Sequence, residues 1–528
     1  MCLSTTRPSL TAASPGWLPS RPGVRARVSG QFQHNGGKEE PEDNPPQPGW
    51  AGQSGVSPTF LGAEGITSRL SDGKFDFLTW DPRDVGVSLP APRCLPDEAV
   101  RDRWSFTTPQ YLATLESPRA VSLAVTDAYK EAVWRTFWEK RGDIGRFLGT
   151  ACVARDIDQI RIALGQDEVT GDFASYESGI AQTYTALFPD RVGRMLPDGT
   201  EFIRDHRTRD GFAITGLDNA TDAWRDGFLG ECVKAGPGHC ALAKPKDGKP
   251  VTLPSLLGRM EVLLSSLAAR PIPVYRADTG PVLYTYTHLV DLILQTLYGP
   301  MQWSIVAEII SKFETDGNPR PSLVAMSDAG WVYAPRRGCP THVANSDDEL
   351  APFVICADSY DATEPNDMTC WQSLWSNMTA KSWVSGDVRI CEQFRCRHFT
   401  KFWPRPAEVF RGNLSQPLRN PVLLIAETYD PATPLRNGKR LAQEMGPSNA
   451  RLVVHRGYGH GSQSHPSNYT DAIAKAYILH GRVPELETNC YASGNPYVRG
   501  APVLERRSQS PTDLQRMTDF FQESSAVF

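Results

Sequence analysis

The chain has 528 residues, of which 40% are apolar and 22% are charged, and its net charge is −5. This composition is that of a globular protein, and the length allows about two to four domains. Lysine and arginine form no cluster dense enough for a nucleic-acid surface, and no apolar run approaches the roughly 18 residues of a membrane-spanning helix. We therefore expect neither a nucleic-acid partner nor a membrane span.

Residues 1–46 are rich in proline, glycine and glutamine and are predicted to be disordered. They lack the apolar core of about 7–15 residues that a signal peptide needs. Eleven cysteines favour a secretory history instead, as do four glycosylation sequons, at Asn219, Asn377, Asn413 and Asn468. The cellular compartment therefore stays open, with a cytoplasmic location for the chain as written.

Two pairs of cysteines are close enough in sequence to form small disulfide loops, Cys232 with Cys240 and Cys391 with Cys396. The segment from Cys391 to His398 has the spacing C-x4-C-x-H, which matches no zinc site well. We therefore predict no metal site and no cofactor.

Residues 47–215 begin with a glycine-rich stretch and continue with alternating strands and helices. A strand is predicted at 75–80, and helical character over 100–145. Val153, Ile157, Ile160 and Leu164 share one helical face, and a strand over 168–174 and a second helix, stopped by Pro189, follow. This alternation predicts a parallel sheet flanked by helices.

Residues 216–400 interleave helical runs, such as 251–267 and 288–313, with long loops rich in tryptophan, proline and cysteine. This pattern is typical of a mainly helical cap inserted over the sheet. The strand and helix pattern returns over residues 401–500, and residues 501–528 read as a polar tail.

The segment 421–460 carries an acid and a histidine, each directly after a short apolar strand. Asp430 follows the strand at 422–426, and His460 follows the strand at 452–454. Loops at the carboxyl ends of parallel strands meet at one edge of a sheet, where ligands bind. Asp430 and His460 are therefore predicted to be two members of a Ser-Asp-His triad in the chain order of α/β-hydrolases. The other histidines nearby, His455, His465 and His480, are weaker candidates.

Five stretches resemble the tripeptidyl/prolyl aminopeptidase-like family of α/β-hydrolases with its characteristic C-terminal domain. They are FDFLTWDPRDVGVSLP (75–90), VARDIDQIRIALG (153–165), AQTYTALFPDRVGRM (181–195), PVLLIAETYDPATPLRNGKRLA (421–442) and GYGHGS (457–462). The resemblance implies an α/β-hydrolase fold with a helical cap. Counting back from residue 181 without gaps, it implies Ser175 as the nucleophile, with Tyr176, Gly49 and Trp50 around the oxyanion.

The nucleophile segment departs from the usual pattern G-x-S-x-G. Phe173 and Glu177 stand where both glycines are expected, and Asp172 lies where the family has a buried aromatic residue. A charge in a central strand is costly unless it is paired. The strands expected before the glycine-rich stretch are also missing, which suggests a truncated N-terminal part of the sheet.

The function predicted from these residues is that of a serine hydrolase, peptidase-like or aminopeptidase-like, acting on a small peptide, amide or ester. One alternative is a catalytically impaired hydrolase fold that serves as a binding protein. Another is a hydrolase of fungal secondary metabolism that acts on an ester or a lactone. An error in the sequence of the N-terminal half would also explain the missing glycines.

Overall fold

The structure is a computed structural model, and it describes residues 26–28, 55–85, 88, 119–208, 214–245, 248–276, 280–327, 347–362 and 367–499. Within these ranges, no helix combines the length and the apolar character that crossing a membrane requires. The first range is a short strand inside the segment 1–46, an element that the sequence did not predict.

The described strands are β1 (Ala26–Val28), β2 (Asp76–Leu78), β3 (Val169–Ala174), β4 (Val192–Asp198), β5 (Ile272–Arg276), β6 (Gly280–Tyr284), β7 (Val422–Tyr429), β8 (Ala450–Tyr458) and β9 (Glu487–Tyr491). The α-helices in the same ranges are α1 (Val56–Ser71), α2 (Arg119–Arg141), α3 (Thr150–Ala163), α4 (Glu177–Leu187), α5 (Ala220–Asp222), α6 (Gly230–Ala235), α7 (Leu253–Ala269), α8 (Tyr286–Tyr298), α9 (Trp303–Asp316), α10 (Arg320–Ser327), α11 (Asp347–Asp358), α12 (Met368–Lys381), α13 (Gly386–Phe394), α14 (Phe399–Phe402), α15 (Leu435–Met445), α16 (Asn468–His480) and α17 (Pro496–Arg499).

The main sheet is parallel and has the strand order β3-β4-β7-β8-β9. Helices α4, α15 and α16 each connect one of these strands to the next strand of the sheet. Strands β1 and β2 form a separate parallel pair, and β5 and β6 form an antiparallel hairpin. The predicted parallel sheet with flanking helices, the α/β-hydrolase architecture, is therefore confirmed.

The first part of strand β7, residues 422–426, is apolar on both faces because helices cover both sides of the sheet. Leu423 and Ile425 pack in a cluster with Tyr477 of α16, whereas Leu424 and Ala426 pack in another with Leu441 of α15. An uninterrupted apolar run is what a fully covered parallel strand requires. The two clusters hold β7 in place from both faces. They therefore fix the position of the loop after β7, which carries Asp430.

The chain between β4 and β7 is mainly helical, with the β5–β6 hairpin as its described sheet element. Helices α5 and α6 flank a π-helical segment, Ala223–Leu229. The large apolar cluster of this region also contacts Tyr429 and Tyr458, at the carboxyl ends of β7 and β8. The region therefore packs against the edge of the sheet where the acid and the histidine lie. The division of the chain into domains stays a prediction.

Of the two disulfide loops that the sequence spacing allows, one forms and the other does not. Cys232 is bonded to Cys240, but Cys396 is bonded to Cys356 rather than to Cys391. The partner of Cys396 comes from α11, which is distant in sequence and adjacent in space, and local spacing cannot reveal such a partner. The disulfide also occupies the Cys396 sulfur, which removes a ligand from the C-x4-C-x-H segment.

Asp172 was expected to carry a costly charge in a central strand, and its surroundings correct that expectation. Strand β3 lies at one end of the strand order of the main sheet, and Arg69 of α1 places its guanidinium nitrogen 3.6 Å from the Asp172 carboxylate. Both side chains are mostly buried. The charge is therefore paired across the packing of α1 on the sheet.

Candidate active site

Ser175 lies in the turn between β3 and α4 with a φ of +54°. This left-handed conformation is strained for a residue other than glycine, and a strained strand-to-helix turn is what presents a nucleophile at the edge of an α/β-hydrolase sheet. The Ser175 N–H donates to the Asp198 carbonyl at 2.9 Å, which ties the turn to the end of β4. Ser175 therefore has the backbone geometry of a nucleophile turn.

The turn forms without the two expected glycines because both larger side chains find space. Phe173 is buried in the apolar core, and the Glu177 carboxylate folds back to accept a bond from the Ala174 N–H at 3.4 Å. Burial raises the pKa of Glu177 to about 7, against the lowering effect of that N–H. The glycine that this segment does require is Gly179, whose backbone passes close to Glu201. A Cβ added at Gly179 would lie 1.8 Å from Glu201 Oε1.

Ser175, His460 and Asp430 form a continuous hydrogen-bonded chain. The Ser175 Oγ lies 2.6 Å from His460 Nε2, and His460 Nδ1 lies 2.9 and 2.8 Å from the two Asp430 carboxylate oxygens. The three side chains come from the loops after β3, β8 and β7, and all of them are buried. The structure thus brings together the three residues that the sequence singled out.

The Asp430 carboxylate is fully buried and held by its own loop. Its Oδ1 accepts from the N–H groups of Ala432 at 2.7 Å and Thr433 at 2.8 Å, and its Oδ2 accepts from the Thr433 hydroxyl at 2.8 Å. Burial would raise the pKa of Asp430, but the His460 ring and these donors together hold it below its usual value. Asp430 is therefore an ionised acceptor for His460 Nδ1–H at neutral pH.

The loop that carries His460 is locked against the helical region. The His460 N–H donates to the Tyr298 carbonyl at 3.1 Å, and the two rings pack edge to face with centroids 5.2 Å apart. Gly459 has a φ of +95°, and a Cβ there would lie 2.6 Å from Pro300 Cδ and 2.7 Å from Ser464 Cβ. Gly459, the second glycine of the GYGHGS motif, therefore lets the backbone pass close to the α8–α9 connection.

The predicted oxyanion donors divide into one that the structure describes and two that it does not. Within the described ranges no carbonyl accepts a hydrogen bond from the Tyr176 N–H, directly after Ser175. The Tyr176 side chain is fixed by a 2.7 Å hydrogen bond between its hydroxyl and that of Thr150. Gly49 and Trp50 lie outside the described residues, so their part in an oxyanion site stays a prediction.

His455, one of the weaker histidine candidates, and Ser178, a serine close to Ser175 in the chain, have other partners. His455 is bonded to the Thr470 hydroxyl at 3.0 Å and to the His465 carbonyl at 2.9 Å, and burial lowers its pKa to about 4. His480 lies at the end of α16. The Ser178 hydroxyl donates to the Ser175 carbonyl at 2.5 Å. These contacts favour Ser175 and His460 over the alternatives.

Two residues around His460 were not identified from the sequence. Thr433 could have been found, because a threonine three residues after Asp430 is well placed to bond an aspartate side chain in a turn. Tyr298 had no such signal, because it comes from α8, more than a hundred residues away in the chain. Its role follows only from how the helical region packs on the sheet.

The four sequons differ in accessibility. Asn377, Asn413 and Asn468 are exposed, and they stay predicted glycosylation sites. Asn219 is half-buried, and its side-chain amide donates to the Thr428 carbonyl at 3.0 Å. A glycan on Asn219 would require that contact to break.

Residues 384–490, which include both Asp430 and His460, match the family model described as TAP-like protein. The chain has an α/β-hydrolase fold with a TAP-like C-terminal part. The match begins before β7 and ends in β9, so it covers the three strands and two helices that position the acid and the histidine.

Curated relatives span most of this hydrolase. Serine protease Hip1 of Mycobacterium tuberculosis is 25% identical over 461 residues, covering 84% of this chain and 79% of that protein. Carboxylesterase B of the same organism is 24% identical, covering 84% and 78%. Tripeptidyl aminopeptidase of Streptomyces lividans is 24% identical, covering 85% and 76%. The chain is thus similar to proteins named for peptide and for ester hydrolysis, which supports an enzyme.

Proposed function

We propose that the protein is a serine hydrolase, peptidase-like in its substrate preference, that acts through Ser175, His460 and Asp430. The observation that carries this proposal is the 2.6 Å contact between Ser175 Oγ and His460 Nε2 at a strained strand-to-helix turn. Strained backbone conformations of this kind cluster at active sites, whereas an ordinary solvated serine needs neither the strain nor a basic partner. The order of the three residues in the chain is also that of α/β-hydrolases.

The proposed reaction transfers an acyl group first to Ser175 and then to water. Ser175 Oγ attacks the substrate carbonyl carbon while its proton moves to His460 Nε2, and His460 then gives that proton to the departing amine or alcohol. Asp430 keeps the His460 Nδ1–H oriented and stabilises the imidazolium that forms. Water then releases the acid by the same proton transfers in reverse. This chemistry is complete with the protein's own groups.

The negative charge on the substrate oxygen requires hydrogen-bond donors. The Tyr176 N–H supports this role because it follows Ser175 directly, and the buried Tyr176–Thr150 contact holds the residue in place. Loss of one such donor costs on the order of 3 kcal/mol of transition-state stabilisation. A second donor from Gly49 or Trp50 is part of the proposal, by resemblance to the family.

The substrate class that we propose is a small peptide, amide or ester. The names of the relatives favour peptides, with esters as a second class. The packing of the helical region against Tyr429 and Tyr458 supports a covered site that limits substrate size. The ester or lactone alternative differs only in the leaving group and uses the same three residues.

A binding protein with impaired catalysis is the second candidate, and Glu177 favours it. The Glu177 carboxylate bonds the N–H of Ala174, the residue before Ser175, and so lies close to the nucleophile turn. When it is ionised, its negative charge opposes the formation of a second negative charge on the substrate oxygen. An active enzyme has to tolerate this repulsion.

Labelling with a fluorophosphonate probe tests the proposal. We expect the wild-type protein to be labelled and Ser175→Ala to remain unlabelled. Thr183→Ala is the matched control, because it removes a buried hydroxyl of α4 that bonds the Gly179 carbonyl. This control should label like the wild type. Folded wild-type protein that does not react would contradict the hydrolase proposal and favour the binding protein.

A further inference from the structure

Asp198, the last residue of β4, contacts both the Ser175 turn and the His460 loop. Its carbonyl accepts from the Ser175 N–H at 2.9 Å. Its carboxylate accepts from the Ser462 N–H at 2.9 Å and from the Ser462 hydroxyl at 2.5 Å. Ser462 is two residues after His460, so a single residue connects the backbones on which the nucleophile and the base depend.

The strand pairing gives Asp198 a fixed position. It pairs with Ala174 of β3 on one side and with Ile425 of β7 on the other. Only 2% of its surface is exposed. The Asp198 backbone is therefore held on both sides by strand pairing. Its carboxylate, through two bonds to Ser462, holds the His460 loop to this fixed position.

A second buried carboxyl, that of Glu427 in β7, lies next to the Asp198 carboxylate. Glu427 is completely buried, and neither of its oxygens accepts a hydrogen bond within the described ranges. Burial, together with the charges of Asp198 and Asp430, raises the pKa of Glu427 well above its usual value. This shift favours the protonated form of Glu427, whose O–H can donate to the Asp198 carboxylate.

We propose that Asp198 is a positioning residue that holds the His460 loop in register with the Ser175 turn, with the Glu427 carboxyl as its buried partner. The inference rests on the proposed hydrolase function for its kinetic consequence. Asp198 does not touch the substrate, and it acts through Ser462 and through the backbone of Ser175. Proton transfer from Ser175 to His460 requires the distance between them to be held within a fraction of an ångström. A loosened His460 loop therefore lowers the rate of the chemical step.

Four variants test the proposal. Asp198→Ala removes both bonds to Ser462, and Ser462→Ala removes one bond by a much smaller change. Asp198→Asn is the conservative rescue, because an amide can still accept from the Ser462 N–H and donate to the Ser462 hydroxyl. Thr200→Val is the matched control, since it removes a buried bond from the Thr200 hydroxyl to the Ile425 carbonyl at the same corner.

The first measurement is the rate of Ser175 modification by the fluorophosphonate probe, corrected for the folded fraction. We expect at least a tenfold loss in Asp198→Ala, a smaller loss in Ser462→Ala, and a rate within threefold of the wild type in Asp198→Asn and Thr200→Val. The double variant Asp198→Ala, Ser462→Ala should be no slower than Asp198→Ala, because both changes remove the same link.

The second measurement does not need activity. The His460 Nδ1 proton, held by Asp430, gives a low-field NMR signal that should be present in the wild type, Asp198→Asn and Thr200→Val and exchange-broadened in Asp198→Ala and Ser462→Ala. If the wild type is unreactive to the probe but this pattern holds, the hydrolase proposal fails and the positioning role stands. Wild-type signals in both alanine variants, or wild-type rates, would overturn the inference. If Asp198→Ala does not fold, Ser462→Ala alone decides it.

Discussion

The two sides of the site follow the family pattern to different degrees, yet they meet at hydrogen-bonding distance. The acid and histidine side keeps the expected motifs, and its loops hold Asp430 through Thr433 and His460 through the close passage at Gly459. The nucleophile side has lost both glycines of its motif and still places Ser175 at a φ of +54°. The backbone of the turn is thus set by the ends of β3 and β4, not by the glycines.

The comparison also shows what the glycines of the pattern provide. They remove side chains that would crowd the nucleophile turn, and here the crowding is relieved in another way. Phe173 packs in the core and the Glu177 side chain turns back onto Ala174, so neither crowds the turn. The remaining cost is electrostatic, because a carboxyl group lies near the nucleophile. A partly buried acid with a raised pKa lies beside the nucleophile, at a position where the usual motif has a glycine.

The largest effect is expected on the side that keeps its motifs. Asp430→Asn preserves the size of the side chain but removes the charge and favours the wrong tautomer of His460. We predict a loss in the rate of hydrolysis, or of probe labelling, on the order of 10³- to 10⁴-fold. Asp190→Asn is the matched control, because it makes the same change at an exposed side chain. A loss below tenfold in Asp430→Asn would show that Asp430 does not orient His460.

An intermediate effect is expected from the close passage of the His460 loop. Gly459→Ala would place a Cβ 2.6 Å from Pro300 Cδ in addition to straining a φ of +95°. Gly446→Ala is the matched control, because its φ is +80° and an added Cβ would meet nothing within 4 Å. Backbone strain alone costs about 1–3 kcal/mol, so Gly459→Ala should lower the free energy of unfolding by more than Gly446→Ala does. Equal losses in denaturant unfolding would refute the close passage.

The smallest effect is expected from the residue that distinguishes the nucleophile side. With its pKa near 7, Glu177 is mostly neutral below that pH and charged above it. Its charge opposes the substrate oxyanion, so Glu177→Gln should react like the wild type at pH 6 and a few times faster at pH 8. The measurement is the pH dependence of the ratio of the two rates. A ratio that stays constant across pH 6–8 would remove Glu177 from the electrostatics of the site.

The sequence predicted the elements whose information is local. The alternation of strands and helices, the apolar run of β7 and the positions of Asp430 and His460 all follow from short-range patterns. Ser175 required the register of the neighbouring helix, because its own motif is missing. Tyr298, Asp198 and the Cys356–Cys396 disulfide could not be predicted, because each depends on contacts between segments distant in sequence.

The salt bridge of Asp172 belongs to the same class. Sequence alone places a charge in a buried strand, and only the packing of α1 brings Arg69 to it. The nucleophile side is therefore less predictable from sequence than the acid and histidine side, because it depends more on tertiary contacts.

Mass-spectrometric mapping of the fluorophosphonate adduct tests the central proposal most directly. The proposal predicts one modified peptide, with the phosphonyl group on the Ser175 oxygen, in folded wild-type protein and none in His460→Ala. An adduct on Ser178 or on another residue, or an unmodified Ser175 in folded protein, would contradict it.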